Sequence, residues 1–226
     1  MKTVALLSGG LDSVVNFKCA LDRGEVLRAL TFDYGQAAAA NEIRAASEAA
    51  GRFGVVHSVV PLPWYRDLVA NPVMGQGEVG RHDERVSEEP AQLLKEAWIP
   101  NRNCVLLAIG AAFSEGLGAG GVVVGLNREE AGVFPDNSED FLKRVNAVFG
   151  LSTLSGVEAV CYTAAMSKAD IVRLGIEVGA PLDLIYSCYK SGADQRMCGR
   201  CQSCARLKAA LRANGVLGRH AGRFAG

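Results

Sequence analysis

The 226-residue chain has no surplus of charge of either sign: 24 Lys and Arg stand against 24 Asp and Glu. No overall field recruits nucleic acid or an anionic membrane, so partners must be met at specific sites, and nucleic acid is not expected among them. No uninterrupted apolar run approaches the ~18 residues of a membrane span, and Met1-Lys2 leads directly into a strand-like segment, unlike a signal peptide. A cytoplasmic protein without membrane association is expected. Internal repeats are absent, as are low-complexity tracts beyond some alanines. The histidines His57, His82 and His220 lack any spacing that suggests ligation and read as structural or solvated. Neither the Gly-x-x-x-x-Gly-Lys-Ser/Thr of a P-loop nor the Gly-x-Gly-x-x-Gly of a dinucleotide fold stands at the first glycine turn.

What is present is a composition 49% hydrophobic and 21% charged, enough to bury a full core in one domain with a small appendage. Its first motif is Ser8-Gly9-Gly10-Leu11-Asp12-Ser13, between the apolar run Val4-Ala5-Leu6-Leu7 and an amphipathic segment. Adjacent glycines let backbone N–H groups converge without Cβ obstruction, Ser8 and Ser13 add hydroxyls, and the following helix offers its positive end. This strand, loop and helix start are suited to phosphate. Asp12 suits a Mg²⁺ ion or a substrate amine, and it complements the helix dipole as well.

Downstream the chain alternates. A helix over 13–23 stops at Gly24, strand 26–32 ends in Asp33-Tyr34-Gly35-Gln36, an alanine-rich helix spans 37–50, and strand 55–60 is closed by Pro61 and Pro63. This βαβαβ order predicts a doubly wound parallel α/β sheet, with ligands at the carboxyl ends of its strands. Residues 64–100, rich in Pro and Gly, read as a mobile loop over the site, packed by Trp64 and Trp98. A helix from Asn103 to Glu115, a strand at 121–125, a helix over 138–149, a fifth strand at 157–161 and a helix over 171–178 follow, the last capped by Ser167 with Asp170 at the box position. Arg102 at a helix start, and Lys168 likewise, suit a phosphate or a carboxylate.

Seven cysteines are an odd number, and Cys188, Cys198, Cys201 and Cys204 crowd into Cys-x9-Cys-x2-Cys-x2-Cys ahead of a helix ending near Ala213. In a reducing compartment this spacing points to metal: Cys-x2-Cys brings two thiolates to one ion, and an upstream cysteine closes a tetrahedral cage. Zinc and an iron–sulfur cluster both fit the spacing. Cys19, Cys104 and Cys161, in apolar contexts, read as core thiols.

The segment Leu6-Leu7-Ser8-Gly9-Gly10-Leu11-Asp12-Ser13 resembles the pyrophosphate-gripping (PP) loop of the N-type ATP pyrophosphatases, which adenylate their substrates. With residues 30–36, 100–103, 125–127, 168–175, 187–189 and 198–204 it resembles, in order over nearly the whole chain, the 7-cyano-7-deazaguanine synthase family of queuosine biosynthesis. The resemblance implies a homodimeric carbon–nitrogen ligase with an ATP-binding α/β domain over 1–180 and a helical zinc-binding region over 181–226. It implies that ATP with Mg²⁺ activates 7-carboxy-7-deazaguanine as an acyl-adenylate, that ammonia gives the amide, and that a second activation dehydrates the amide to a nitrile. Ser8, Asp12, Ser13 and Lys168 are then catalytic. ATP is held by Ser8, Gly9, Gly10, Leu11, Asp12 and Ser13 with Phe32, Tyr34, Gly35, Gln36, Arg102 and Gly125. Asn127, Glu130, Phe134 and Asp136 meet the deazapurine, and Cys188, Cys198, Cys201 and Cys204 hold a structural zinc. The chain departs from that family at Ala37–Ala40, where basic residues are usual, and over 128–137. Glu130 there replaces an aspartate expected on a guanine-like amidine edge, and Ala131 replaces an aromatic. A relative that passes the acyl group to a protein amine, and an RNA sulfur transferase with an iron–sulfur cluster, stand as alternatives.

Overall fold

The computed structural model describes residues 1–76, 90–190 and 195–225. Five strands, β1 (Lys2–Leu6), β2 (Glu25–Asp33), β3 (His57–Pro61), β4 (Gly121–Val123) and β5 (Glu158–Val160), form one sheet in the order β3-β2-β1-β4-β5. All pairings are parallel. Strand residues alternate between two apolar layers: Ala5, Ala29 and Val123 join one, with Leu7 just past β1, and Val4, Leu6, Leu30, Phe32 and Val122 the other. Burial on both faces explains why these strands read as continuous apolar runs.

Helices α1 (Leu11–Arg23) and α2 (Ala39–Arg52) cover the first layer, joined there by α8 (Lys168–Glu177) and α9 (Gln202–Ala213). Along α2, Ala45, Ala46, Ala49 and Ala50 are all buried, so this alanine stretch is a thin face that lets α2 lie close to its neighbours. The second layer is covered by α5 (Arg102–Gly116) and α7 (Glu139–Ser152), through Leu107, Ala111, Val145 and Phe149. Residues of the C-terminal segment, Met197, Cys201, Cys204, Leu207 and Leu211, share one core with Val14, Val15 and Phe17 of α1. Full burial of a side chain such as Leu207 or Phe17 contributes about 1.5–3 kcal/mol relative to exposure.

The remaining elements are short: α3 (Tyr65–Leu68), α4 (Pro90–Ala97), α6 (Arg128–Ala131) and α10 (Leu217–His220). The 64–100 stretch therefore carries α3, a 3-10 turn at Pro72–Met74 and α4, where sequence alone suggested a plain loop. The Asn71 side chain caps that turn through Met74 N and donates to Trp98 O at 2.9 Å, which ties the two ends of the stretch together. Its middle, 77–89, with His82 and the expected lid, lies outside the described residues. No helix among the described residues is long and apolar enough to cross a membrane.

Strand order reverses at β1, which has β2 on one side and β4 on the other, each reached by a crossover in a different direction. The crevice at the carboxyl ends of β1 and β4 is where such a sheet binds ligands.

Candidate active site

The turn after β1 owes its shape to two contacts that only glycine permits. Gly9 has φ +80°, and a Cβ there would stand 2.8 Å from both Ala45 Cβ and Glu42 O. Gly125, just beyond β4, would place a Cβ 2.6 Å from the Asp12 carbonyl carbon and the Ser13 nitrogen. Two chain segments thus meet in backbone contact at the start of α1. Within the loop, Ser8 Oγ donates to Ser13 Oγ at 3.1 Å, and Ser13 Oγ donates to Gly10 O at 3.0 Å. No side chain of the loop caps α1, whose cap position is Gly10. From far along the sequence, Ser187 Oγ accepts from Leu11 N at 3.4 Å, and Tyr186 N donates to Gly9 O at 2.8 Å. The start of α1 thus lines a cavity, with the positive helix end behind it.

Asp12 and Lys168, 156 residues apart, meet beside this loop. Lys168 Nζ lies 2.7 Å from Asp12 Oδ2 and 2.8 Å from Glu130 Oε1, with side chains 15%, 12% and 29% exposed, respectively. Asn127 closes the ring, donating through Nδ2 to Asp12 Oδ2 at 2.8 Å and accepting from Glu130 N at 2.9 Å. Burial pulls the Lys168 pKa down, but two adjacent carboxylates more than reverse this, and it stays protonated. Burial pushes Glu130 up, and the ammonium overrides it, leaving that carboxyl at about 2. Asp12 is raised by burial, against the pull of Lys168 and with the Glu130 charge adding to the rise. Asp12 Oδ1 is buried and has no hydrogen-bond partner among the described residues, an arrangement that suits a cation.

Three cavities converge here. One of about 190 Å³ is walled by Leu6, Leu30, Phe32, Tyr34, Leu106 and Val124, with Ser8, Ser13, Glu42 and Gly125 at its polar end. A second, about 180 Å³, runs along Ser8 and Gly10 to Ser13 past Asp12, Glu130, Lys168 and Ser187. The third, about 130 Å³, is bordered by Trp98, Phe134, Tyr189, Glu130, Asp136 and Arg206. Trp98 and Phe134 stack there with centroids 6.2 Å apart and planes 4° from parallel. Phe134 thus finds an aromatic partner from the 64–100 stretch although Ala131 offers none.

Among the described residues, Arg102 alone lines all three cavities. The Pro100-Asn101 turn aims it: Asn101 starts α5 in the left-handed region at φ 56°, which asparagine tolerates better than most residues. Arg102 Nη1 donates to Tyr34 Oη at 3.2 Å, and its guanidinium lies 5.8 Å from the Tyr34 ring centre. Burial lowers its pKa, and the nearby Tyr34 and Asp136 outweigh that, so it remains a fixed cation. Asp136 accepts from Asn103 N at 3.4 Å and Asn137 Nδ2 at 3.0 Å, and burial raises its pKa against the pull of Arg102.

Ser8, Gly10, Leu11, Asp12, Ser13, Phe32, Tyr34, Arg102, Gly125, Glu130, Phe134, Asp136 and Lys168 all border these cavities. Gly9, Gly35, Gln36 and Asn127 are not among the lining residues. Gln36 is buried, its amide engaged by Phe32 O, Tyr34 N and Glu42 Oε2, so it shapes the turn after β2. Sequence reasoning gave no site role to Glu42, Arg206, Trp98, which was expected to pack the loop, or Asn103, Ser187 and Tyr189, which stood in the motifs without one. Of these Glu42 had a signal, a lone acid near the start of an alanine-rich helix, and burial raises its pKa against a hydrogen bond from Gln36.

Cys188, Cys198, Cys201 and Cys204 bring their sulfurs within 4.8 Å of one another. The Cys198–Cys204 and Cys201–Cys188 separations are 3.9 and 4.0 Å, near the ~3.8 Å edge of a tetrahedron with 2.3 Å metal–sulfur bonds. Backbone N–H groups of Lys190 and Cys198 donate to Cys188 Sγ, and that of Cys201 to Cys198 Sγ, as thiolate charge requires. Cys19 is buried as expected, whereas Cys104 and Cys161 are half-buried.

Comparison with known proteins gives the same motifs a family. The 7-cyano-7-deazaguanine synthase of Pelotomaculum thermopropionicum is 42% identical, across 96% of this chain and 99% of that protein. That of Bdellovibrio bacteriovorus is 44% identical, across 93% and 92%, and that of Methanothermobacter thermautotrophicus 38%, across 96% of each. The profile of the family described as Queuosine biosynthesis protein QueC matches residues 2–215. The chain belongs to the QueC family of queuosine biosynthesis proteins.

Proposed function

We propose that this chain is a 7-cyano-7-deazaguanine synthase, a carbon–nitrogen ligase that activates 7-carboxy-7-deazaguanine with ATP. The observation that carries this reading is the junction of an apolar nucleotide cavity, a phosphate loop and an aromatic, acid-lined slot around one arginine, Arg102. Adenosine occupies the cavity walled by Phe32 and Tyr34, the triphosphate follows Ser8 to Ser13, and the deazapurine enters the slot of Trp98, Phe134 and Asp136. Glu130 of α6 borders both the slot and the phosphate cavity, and Asn127 caps that helix behind it.

A carboxylate is a poor electrophile, and its activation needs a good leaving group. The substrate carboxylate attacks the α-phosphorus, forming a mixed anhydride with AMP and breaking the bond to pyrophosphate. The amides of the Ser8–Ser13 loop and the hydroxyls of Ser8 and Ser13 hold the charge that gathers on pyrophosphate. Arg102 lies where carboxylate and α-phosphate meet and neutralises both. Asp12, with its unpartnered Oδ1, would hold a Mg²⁺ ion, which would supply further charge neutralisation on the phosphates. Ammonia displaces AMP and leaves the amide. A second ATP activates the amide oxygen, and loss of AMP with a proton gives the nitrile.

In this reading residues 1–180 supply nucleotide binding and 181–226 a zinc-bearing region whose Tyr186 and Ser187 brace the loop. Zinc is favoured over an iron–sulfur cluster because sulfurs this close suit one ion, whereas a multi-iron cluster needs them farther apart. The protein then acts in the cytoplasm, as a homodimer. Incubation with 7-carboxy-7-deazaguanine, ATP and ammonium should yield AMP, pyrophosphate and the nitrile by mass spectrometry. Acid-dependent AMP without consumption of ammonium would instead mark an amine acceptor on another molecule.

A further inference from the structure

Two consecutive glutamates grip Lys168 at both ends. Glu129 Oε1 accepts from the Lys168 backbone N–H at 2.7 Å, and Glu130 Oε1 takes the ammonium at 2.8 Å. Both come from α6, a helix of only four residues that Asn127 caps through Glu130 N. The same Asn127 holds Asp12, so α6 forms a bracket between the phosphate loop and the start of α8. We propose that Glu130 is a positioning residue that acts through Lys168, keeping its ammonium at the phosphate cavity, and is not the group that reads the deazapurine.

Arriving phosphates change what holds Lys168. Without Glu130, the ammonium would have one carboxylate, Asp12, which lies in the first turn of α1 with its second oxygen free. A cation taken by Asp12 would compete with Lys168 for that carboxylate and repel the ammonium. Glu130 supplies a second anchor that the phosphates do not need. A buried ion cluster is a poor source of stability, because desolvation of each charge opposes the attraction it gains. Its cost is understandable if the ammonium must be held ready for an anion.

Recognition of an amidine edge asks for two carboxylate oxygens turned toward the base. One oxygen of Glu130 is engaged by Lys168, and the residue faces both the slot and the phosphate cavity. Asp136 borders the slot without reaching the phosphate cavity, which fits it better for the base.

The inference rests on the adenylation reading for its meaning, but its binding arm needs no acid. Glu130→Gln, titrated with MgATP alone by calorimetry, should bind about tenfold more weakly or worse, while the KM for 7-carboxy-7-deazaguanine stays within about twofold of the parent value. In a Lys168→Gln background the same change should add nothing further, since the residue acts through that lysine. Unchanged MgATP affinity in Glu130→Gln, or losses that add in the double variant, would overturn the proposal. So would a raised KM for the acid with normal MgATP binding. If the parent protein binds MgATP but forms no AMP from the acid, the adenylation reading fails and the Glu130 result still stands.

Discussion

At the scale of single residues, the site depends as much on atoms that are missing as on charges that are present. Gly125 lets the chain beyond β4 touch the backbone of Asp12 and Ser13, which fixes the phosphate loop against the sheet. Gly125→Ala puts a carbon within 2.6 Å of two backbone atoms that no rotamer can move. Such overpacking costs about 1–3 kcal/mol, so a lowered Tm is expected together with a loss of MgATP binding. A variant that binds MgATP normally would show that the loop has another seat. The glycines and serines of this loop were legible because phosphate binding demands residue types that serve little else at that spacing. Trp98 and Arg206 were not legible as site residues: each is ordinary in its local context, and only the tertiary fold brings it to the cavities.

At the scale of elements, local signals specified most of the secondary structure. The box at Ser167 and Asp170 forms fully, with Ser167 Oγ accepting from Asp170 N at 3.2 Å and Asp170 Oδ2 accepting from Ser167 N at 3.1 Å. It matters because Lys168 is the next residue, so the cap sets the angle at which that ammonium enters the site. Ser167→Ala should lower stability by about 1 kcal/mol, read by thermal or denaturant unfolding. Hydrogen bonds from Ser167, with help from Arg173, hold the Asp170 carboxyl below its usual value of 3.8. Its contribution is therefore complete above that pH and fades as pH falls through the lower folded value. The stability difference between the parent and Asp170→Asn should shrink toward pH 3, and a difference that grows there would refute the assignment. What local signals did not reveal was α3, the turn at Pro72–Met74 and α4. Pro and Gly spread through 64–100 obscured any periodicity, and the Asn71 bond to Trp98 that organises the stretch spans 27 residues.

At the scale of the molecule, the four-cysteine tail and the phosphate loop are parts of one core. Cys201 and Cys204 are fully buried beside Leu207 and Met197, in the layer that also buries Val14 and Phe17 of α1. Cys188 follows Ser187, which touches Leu11, so a defect at the cysteine cluster has a short path to the Ser8–Ser13 loop. Cys201→Ser should lose zinc, reduce stability by several kcal/mol and weaken MgATP binding, since metal affinity is folding free energy in such sites. Zinc retained at one per chain by elemental analysis would contradict the ligand assignment. The doubly wound order was legible because strand and helix signals alternate cleanly through the first half of the chain. The merging of the tail with α1 was not, because apolar spacing marks a buried face without saying what covers it. If one site activates an acid and then its amide, product stoichiometry with ¹⁵N-ammonium records both activations. A nitrile carrying the label is expected, with twice as much AMP formed as nitrile. Labelled amide that accumulates with equimolar AMP and never becomes nitrile would contradict it.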